Sequence, residues 1–475
     1  MRQIDPSQIK KILVIRPDAI GDLVLTTPAI SALRSKYPQA HIAVLAREYN
    51  QIVIKNNPAV DEIIIDDLYD RIYNRQRIGL SLYRQWIKRL RQKEFDIMIN
   101  FCGEFPYALI AFLAGIPYRI GDKGKVLYSW LYNFPIFQRF SSWAIHEVEH
   151  NFELLKPLGI KMTNTPKLRI YPGKEAVSKG IKLIEENGLK GKKLIMVNIG
   201  TGGGNKPWNI ENFKELIRIL SNKYNTKIIL LGGPKEKAIA ETILPEMKHQ
   251  ILNLVGLPLE ILIGLLSQMH LYIGNDTGPT HMAVALQVPS IVLYIAKYQK
   301  PGRWAPWATP HKIIKKVLDC PYPCRPSICK KDLCTREISP QEVALAAFEL
   351  LSGKGLISPE EQKLERERLS FNILLIGSGP RKEKIARILK ENDLRFWAMS
   401  IEEAKKMSIK KLLDRYSQYD INILQIISQS CFKLRLSALL TSLSMPIPVL
   451  HLADEGREFN NITSLLNYYQ GKLSQ

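Results

Sequence analysis

A short β-branched run, then a Gly-containing loop, then a helical stretch: this unit recurs along the chain and leaves few folds open to it. Lys11-Ile12-Leu13-Val14-Ile15-Arg16 has the near-continuous apolar pattern of a strand buried in a parallel sheet. Pro17 to Asp22 breaks that run. Thr27-Pro28 is then expected to open a helix through Lys36, because proline at the first helical position loses no hydrogen bond. His41–Ala46, Ile63–Ile65 and Glu94–Asn100 read as further strands. The alternation restarts at Lys193, with strands expected at Leu194–Ile199, Ile228–Leu231, Leu271–Ile273 and Ser290–Tyr294. Helices are expected at Ile210–Tyr224, Glu236–Ile243 and Leu259–Gln268. Strands that alternate with helices imply doubly wound α/β domains.

At 475 residues the chain is too long for one core. The expected layout is an N-terminal Rossmann-like domain over residues 1–163, a second over 164–353, a Lys/Glu/Arg-rich linker over 354–369 and a small α/β domain over 370–475. In that last part Phe371–Gly377 begins another strand, and Asp420–Ile427 and Ile447–Leu450 read as strands. Its Gly377-Ser378-Gly379-Pro380 lacks the third glycine of a dinucleotide fingerprint, so it does not announce a cofactor. Two Rossmann-like domains facing each other place ligands in the cleft at the C-terminal ends of their strands.

Three loops carry candidate chemistry. Gly21-Asp22 follows the first strand; Asp22 is either a helix N-cap or a carboxylate base that activates an acceptor hydroxyl. Gly200-Thr201-Gly202-Gly203-Gly204-Asn205-Lys206-Pro207-Trp208 follows the Leu194–Ile199 strand. Its amides, with Thr201 and Lys206, could cradle a diphosphate, although the Gly-Lys-Ser/Thr ending of a Walker A loop is missing. The Lys followed by Trp favours ligand binding over a plain flexible turn. Gly274-Asn275-Asp276-Thr277-Gly278-Pro279-Thr280-His281 joins the Leu271–Ile273 strand to a small-residue helix. A helix start there would present free amides to phosphate, with Asp276 near sugar hydroxyls and His281 one turn on. The plainer role for Asp276 is a cap and for His281 a packed core residue.

These motifs, in this order, resemble glycosyltransferase family 9, the lipopolysaccharide heptosyltransferases. The resemblance rests on Ile12–Arg16 through Gly21-Asp22 and Thr26-Thr27-Pro28-Ala29, then on His146-Glu147-Val148-Glu149 before Leu158-Gly159. Lys206 with Trp208, Gly232-Gly233-Pro234 with Glu236, and Asp276-Thr277-Gly278 with His281-Met282-Ala283 complete it. It covers most of residues 10 to 350 and implies a GT-B fold: two Rossmann-like domains facing a cleft, here with a small C-terminal α/β domain added. It also implies an ADP-heptose or related donor, a lipid-linked saccharide acceptor of the lipopolysaccharide-core type, and inversion at the anomeric carbon with no metal or other cofactor. On the matching positions Asp22 would be the general base. Gly21 would leave room for the donor, Lys206 and Thr201 would neutralise its diphosphate, and Asp276, Thr277, Gly278 and His281 would hold and orient it. The chain is longer than typical members by the tail after about Gly355, which leaves acceptor and donor sugar open. A different nucleotide-sugar donor and a non-catalytic sugar-nucleotide binder are the competing readings.

The charge balance bears on partners. With 67 Lys+Arg against 45 Asp+Glu, the net charge is +22. That excess fits a polyanionic partner, whether nucleic acid, anionic lipid or phosphorylated substrate, or simply a Lys-rich solvated surface. No helix-turn-helix, zinc-finger, RRM or KH signature is present, so nucleic acid is not the expected partner. Residues 71–93 hold eight Lys/Arg and no Asp or Glu, interleaved with Leu80, Leu82, Tyr83, Trp86, Ile87 and Leu90. Such a helix can pack its apolar side on the first domain and turn its cations to an anionic membrane surface, and the lipid-linked acceptor that the resemblance implies favours the membrane reading. No apolar run is long enough to span a bilayer and Met1–Lys11 has no signal-peptide core. The expectation is therefore a cytoplasmic protein, peripheral on the inner face of the cytoplasmic membrane. Six cysteines do not form a disulfide scaffold. Cys320, Cys324, Cys329 and Cys334 lie close enough to raise a structural Zn site but hold no Cys-x-x-Cys pair, so a loop stabilised by disulfides or metal is favoured over a catalytic site.

Overall fold

The computed structural model describes residues 4–123, 127–136, 145–162, 164–201, 207–222, 226–247, 250–296, 299, 301–316, 329 and 333–353, and the backbone of four later strands. The first sheet carries β1 (Lys11–Ile15), α1 (Ile20–Lys36), β2 (His41–Arg47), β3 (Glu62–Asp66), α2 (Tyr69–Tyr73), α3 (Leu80–Lys93), β4 (Ile97–Asn100), α4 (Phe105–Leu113), β5 (Tyr118–Asp122) and β6 (Phe134–Ile136). Its order is β3-β2-β1-β4-β5-β6, and every pair is parallel. The strands are buried on both faces, which is why their apolar runs do not alternate. α5 (Glu147–Leu154) follows and leads toward the second domain.

That second sheet carries α6 (Lys174–Glu186), β7 (Lys193–Asn198), α7 (Ile210–Ser221), β8 (Thr226–Leu231), α8 (Lys237–Met247), β9 (Ile251–Asn253), α9 (Leu259–Leu266), β10 (Leu271–Asn275), α10 (Gly278–Ala285), β11 (Ser290–Tyr294), α11 (Pro301–Trp304), β12 (His311–Lys315) and α12 (Pro340–Leu351). Its order is β12-β11-β10-β7-β8-β9, again all parallel. The chain thus holds two six-stranded Rossmann-like sheets, the GT-B-like arrangement. Farther on, β13 (Asn372–Gly377), β14 (Arg395–Met399), β15 (Ile423–Ile427) and β16 (Val449–Leu450) form a parallel sheet in the order β14-β13-β15-β16.

Three expectations need correction. The first helix begins at Ile20, not Thr27, and Pro28 lies inside it. Proline cannot donate to the carbonyl four residues back. The Thr27 hydroxyl donates to that carbonyl instead, reaching Val24 O at 2.7 Å, so the helix continues. Asp22 is therefore no N-cap: Ala19 occupies that position and Asp22 sits in the first turn. Trp208 does not face a ligand loop either. It is fully buried in the second core, with its indole N–H on Ile338 O at 3.0 Å and its ring edge-on to Phe213.

The basic helix α3 packs as an amphipathic element. Trp86 and Leu90 are buried in the first domain, Leu82, Tyr83 and Ile87 are half-buried, and Leu80 is 74% exposed. The Trp86 indole N–H donates to Asp67 at 2.7 Å. Among the described residues no helix is long and apolar enough to cross a membrane.

Candidate active site

In each sheet one strand is flanked by connections that leave in opposite directions, and ligand crevices form at such switch points. In the first sheet this strand is β1, between β2 and β4; in the second it is β7, between β8 and β10. The loops after β1, β7 and β10 hold the candidate residues for this reason. Sheet topology, not sequence proximity, brings the described parts of these loops together.

The first turns of the helices that start from the loops after β1 and β10 pack against each other. A Cβ on Gly278, first residue of α10, would stand 2.9 Å from Ile20 Cβ, first residue of α1. A Cβ on Gly21 would stand 2.6 Å from His281 Cδ2, so the space beside Gly21 is taken by the His281 ring. His281 is 3% exposed, its Nε2 lies 3.3 Å from Asp276 Oδ1, and its Nδ1 is buried with no hydrogen-bond partner among the described residues. Two helix N-termini, each with unpaired amides and a positive dipole end, converge here and favour an anion.

Beside this junction lies a buried charge cluster. Arg16, at the end of β1 and 3% exposed, donates through Nη2 to Asp22 Oδ1 at 2.9 Å and to Glu147 Oε1 at 2.8 Å. Its Nη1 donates to Phe101 O at 2.6 Å, and its Nε lies 3.2 Å from Asp18 Oδ1. Burial alone would lower the pKa of Arg16; the carboxylates of Asp18, Glu147 and Asp22 raise it instead, so the guanidinium keeps its charge. For Asp22 burial prevails: its pKa is raised despite Arg16, His281 and Arg303, with Glu147 adding to the rise. Asp18 is raised for the same first cause, against the pull of Arg16. Glu147 behaves in the opposite way. Burial would raise it, yet Arg16, Arg303 and His150 hold it well below the usual carboxylate range.

On the second domain, Asn198 at the end of β7 straps the two loops of that sheet together. Its Nδ2 donates to Tyr272 Oη at 2.8 Å and to Thr277 Oγ1 at 3.2 Å, and its Oδ1 accepts the Gly200 N–H at 3.0 Å. Asn275 Nδ2 donates to Gly200 O at 3.1 Å, and the Thr280 hydroxyl donates to Asn275 O at 2.5 Å. Thr277 is the N-cap residue of α10 by position, with no side-chain cap bond.

Asp22, Gly21, Asp276, Thr277, Gly278 and His281 are thus gathered at one junction, and Thr201 lies next to the Gly200 that Asn198 and Asn275 hold. Lys206, Cys320 and Cys324 lie outside the described residues, so their surroundings are not described. Arg16, Glu147, Arg303, Asn198 and Tyr272 were not among the residues expected from sequence. Arg16 and Glu147 stood only inside matched motifs, and Asn198 carried the modest signal of a polar residue near the end of an apolar strand.

Two parallel Rossmann-like sheets with a carboxylate and converging helix starts between them define the GT-B kind of fold. The family model described as glycosyltransferase family 9 (heptosyltransferase) matches residues 83–334, more than half of the chain. The chain belongs to that family and is a glycosyltransferase. It is 28% identical over 298 residues to lipopolysaccharide heptosyltransferase 2 of Escherichia coli strain K12, a match that covers 60% of this chain and 82% of that one. Its fold is shared with the family 9 glycosyl transferase from Veillonella parvula, with a TM-score of 0.65 at 23% identity over 74% of this chain and 99% of the other. An E. coli heptosyltransferase solved with ADP-2-deoxy-2-fluoro heptose gives a TM-score of 0.56 at 18% identity, covering 71% and 99%.

Proposed function

We propose that the chain transfers a heptose, with inversion, from ADP-heptose to a lipid-linked saccharide of the lipopolysaccharide-core type, using Asp22 as general base and no metal. The observation that carries this reading is the position of the Asp22 carboxylate: in the first turn of α1, beside the place where α1 meets α10, and bonded to Arg16. A base is most effective when its pKa approaches the working pH, and burial moves Asp22 in that direction. The acceptor hydroxyl gives its proton to Asp22 as its oxygen attacks the anomeric carbon and the bond to the diphosphate breaks. The leaving diphosphate gains charge, which the α10 amides at Thr277 and Gly278, with Thr201 and Lys206, would stabilise. Asp276 and His281 orient the donor. The named heptosyltransferase relatives support the sugar and the nucleotide.

The test is a donor titration with ADP-heptose, ADP-ribose, UDP-sugars and ADP, followed by ADP release with acceptor in the presence of EDTA. Selective ADP-heptose binding, weakened in Lys206→Ala, and EDTA-insensitive turnover are expected. Asp22→Ala should lose about 10²–10⁴-fold in kcat, the range for removing a positioned base. Turnover at the parental rate would remove the proposed base, and binding of a UDP-sugar alone would keep the fold and change the donor.

The same reading places the protein on the anionic inner face of the cytoplasmic membrane, where a lipid-linked acceptor resides. The cationic helix α3 supports this, together with a neighbouring apolar group: Arg91 of α3 reaches Leu113 O at 2.8 Å, and Phe112 is edge-on to Trp130, which is 67% exposed. Co-sedimentation with phosphatidylglycerol vesicles that fades as salt rises is expected. No co-sedimentation at low salt would sink it.

A further inference from the structure

The cluster around Arg16 contains a link between the two domains that the proposed chemistry does not by itself require. Glu147 opens α5, the helix that leads out of the first domain, and its side chain is 1% exposed. Its Oε1 accepts from Arg16 at 2.8 Å. Its Oε2 accepts from Arg303 Nε at 2.8 Å and lies 2.7 Å from Arg303 Nη2. Arg303 belongs to α11 of the second domain, so one buried carboxylate joins a guanidinium from each domain. The same Nη2 of Arg16 that holds Glu147 also holds Asp22. His146, one residue earlier, strengthens the seam: its Nε2 is 2.9 Å from Ala305 O and its ring stacks on Trp307 at 4.4 Å.

We propose that Glu147 is a positioning residue, bridging Arg303 of the second domain to Arg16 so that apposition of the domains sets the orientation and charge environment of Asp22. This rests on Asp22 being the base. With Nε beside Asp18 and Nη1 on Phe101 O, the Nη2 that Asp22 and Glu147 share can shift toward either. Glu147, fixed on its far side by Arg303, holds Arg16 where its Nη2 serves both. When the second domain withdraws Arg303, the Glu147 charge is neutralised less, and Arg16 is drawn from Asp22 toward Glu147. Asp22 is then presented correctly only in the apposed state.

Among the described residues the charges facing Asp22 are Arg16 at the end of β1, Asp18 in the following loop, Glu147 on α5, His281 on α10 and Arg303 on α11, with the phenols of Tyr49 after β2 and Tyr69 on α2 also within its field. Of these, Glu147 opposes ionisation of Asp22 and Arg303 favours it. Neutralising the two one at a time is therefore expected to move Asp22 in opposite directions, a sign that loss of packing alone does not give.

The experiment is the pH dependence of kcat/KM for ADP release from ADP-heptose, for the parental protein, Glu147→Gln, Arg303→Gln and Arg303→Lys, with Asp22→Asn as the reference. Glu147→Gln is expected to lower kcat by about 10- to 100-fold, the scale of a misplaced catalytic group, with donor KM little changed. Its acidic limb should move to lower pH. Arg303→Gln should move that limb to higher pH, and Arg303→Lys should bring it back toward the parental position. Unmoved limbs, or limbs that move the same way, beside an inactive Asp22→Asn would overturn the positioning role alone. Asp22→Asn turning over at the parental rate would overturn the base and, with it, this proposal. Should Glu147→Gln fail to fold, as judged by circular dichroism, the Arg303 pair decides, because Arg303 is nearer the surface.

Discussion

Gly21 on the first domain and His281 on the second fill a single space: a Cβ at residue 21 would stand 2.6 Å from the imidazole Cδ2 and 3.2 Å from its Nε2. The ring cannot simply swing away, because Nε2 is paired with Asp276 and the side chain is buried. Gly21→Ala should therefore push the domains apart, at a cost of about 1–3 kcal/mol typical of overpacking. Removing the ring makes room again, so Gly21→Ala combined with His281→Ala should be more stable than the sum of the single losses, by about 0.5–3 kcal/mol. Urea unfolding of the four proteins measures this. Strict additivity would mean that the two residues do not share the space.

A still closer approach occurs where α6 crosses α9. A Cβ on Gly264 would lie 1.9 Å from Ala176 O and 2.2 Å from its carbonyl carbon, and a Cβ on Gly180 would lie 2.7 Å from Leu265 N. These neighbours are backbone atoms, which no rotamer change can move. Gly264→Ala should cost about 3 kcal/mol or more, at the upper end for overpacking, and Gly180→Ala somewhat less. Thermal unfolding and soluble yield test this, and parental stability in Gly264→Ala would mean that the helices do not cross so closely.

What could be read from the sequence follows from the range of the interactions involved. The strands were legible because parallel strands buried on both faces leave continuous apolar runs, and the loops after β1, β7 and β10 because glycine and polar residues interrupt those runs. The bond that replaced Pro28's missing donor was not legible, since it depends on which rotamer Thr27 adopts. Trp208 misled because a tryptophan beside a glycine-rich loop looks the same whether it faces a ligand or the core. The Arg16–Glu147–Arg303 chain was out of reach altogether. Its partners are separated by 131 and 156 residues, and no local pattern marks a charge that will be buried.

Asn198 offers a test of the second domain's loops. Its amide holds Tyr272 and Thr277 and accepts the Gly200 N–H. Asn198→Ala leaves these groups without that partner, so a loss of about 1–3 kcal/mol is expected. If the loops after β7 and β10 hold the donor diphosphate, ADP should also bind about tenfold more weakly, a difference of about 1.4 kcal/mol. Calorimetric titration with ADP gives the answer. Reduced stability with unchanged ADP affinity would keep the strap structural and separate it from the donor.

Asp66 gives a pH signature distinct from that of the charge cluster. Buried at the end of β3, it accepts the Tyr69 N–H at 2.8 Å and the Tyr107 hydroxyl at 3.0 Å. Burial outweighs those bonds and raises its pKa from 3.8 to about 6. The folded state thus binds this proton more tightly than the unfolded chain does. The stability it contributes is complete below the unfolded value and is lost as pH rises through about 6. Above that, the ionised carboxylate costs up to about 3 kcal/mol, at 1.36 kcal/mol per pKa unit. Asp66→Asn keeps one acceptor oxygen and removes the titration. Glu147, whose depressed pKa weakens the fold as pH falls, is present in both proteins and cancels in the comparison. The melting temperature of Asp66→Asn relative to the parent should therefore rise between about pH 4 and pH 7 and then level off. A relative melting temperature that stays flat, or falls, over that interval would show that Asp66 is ionised at little cost in the fold.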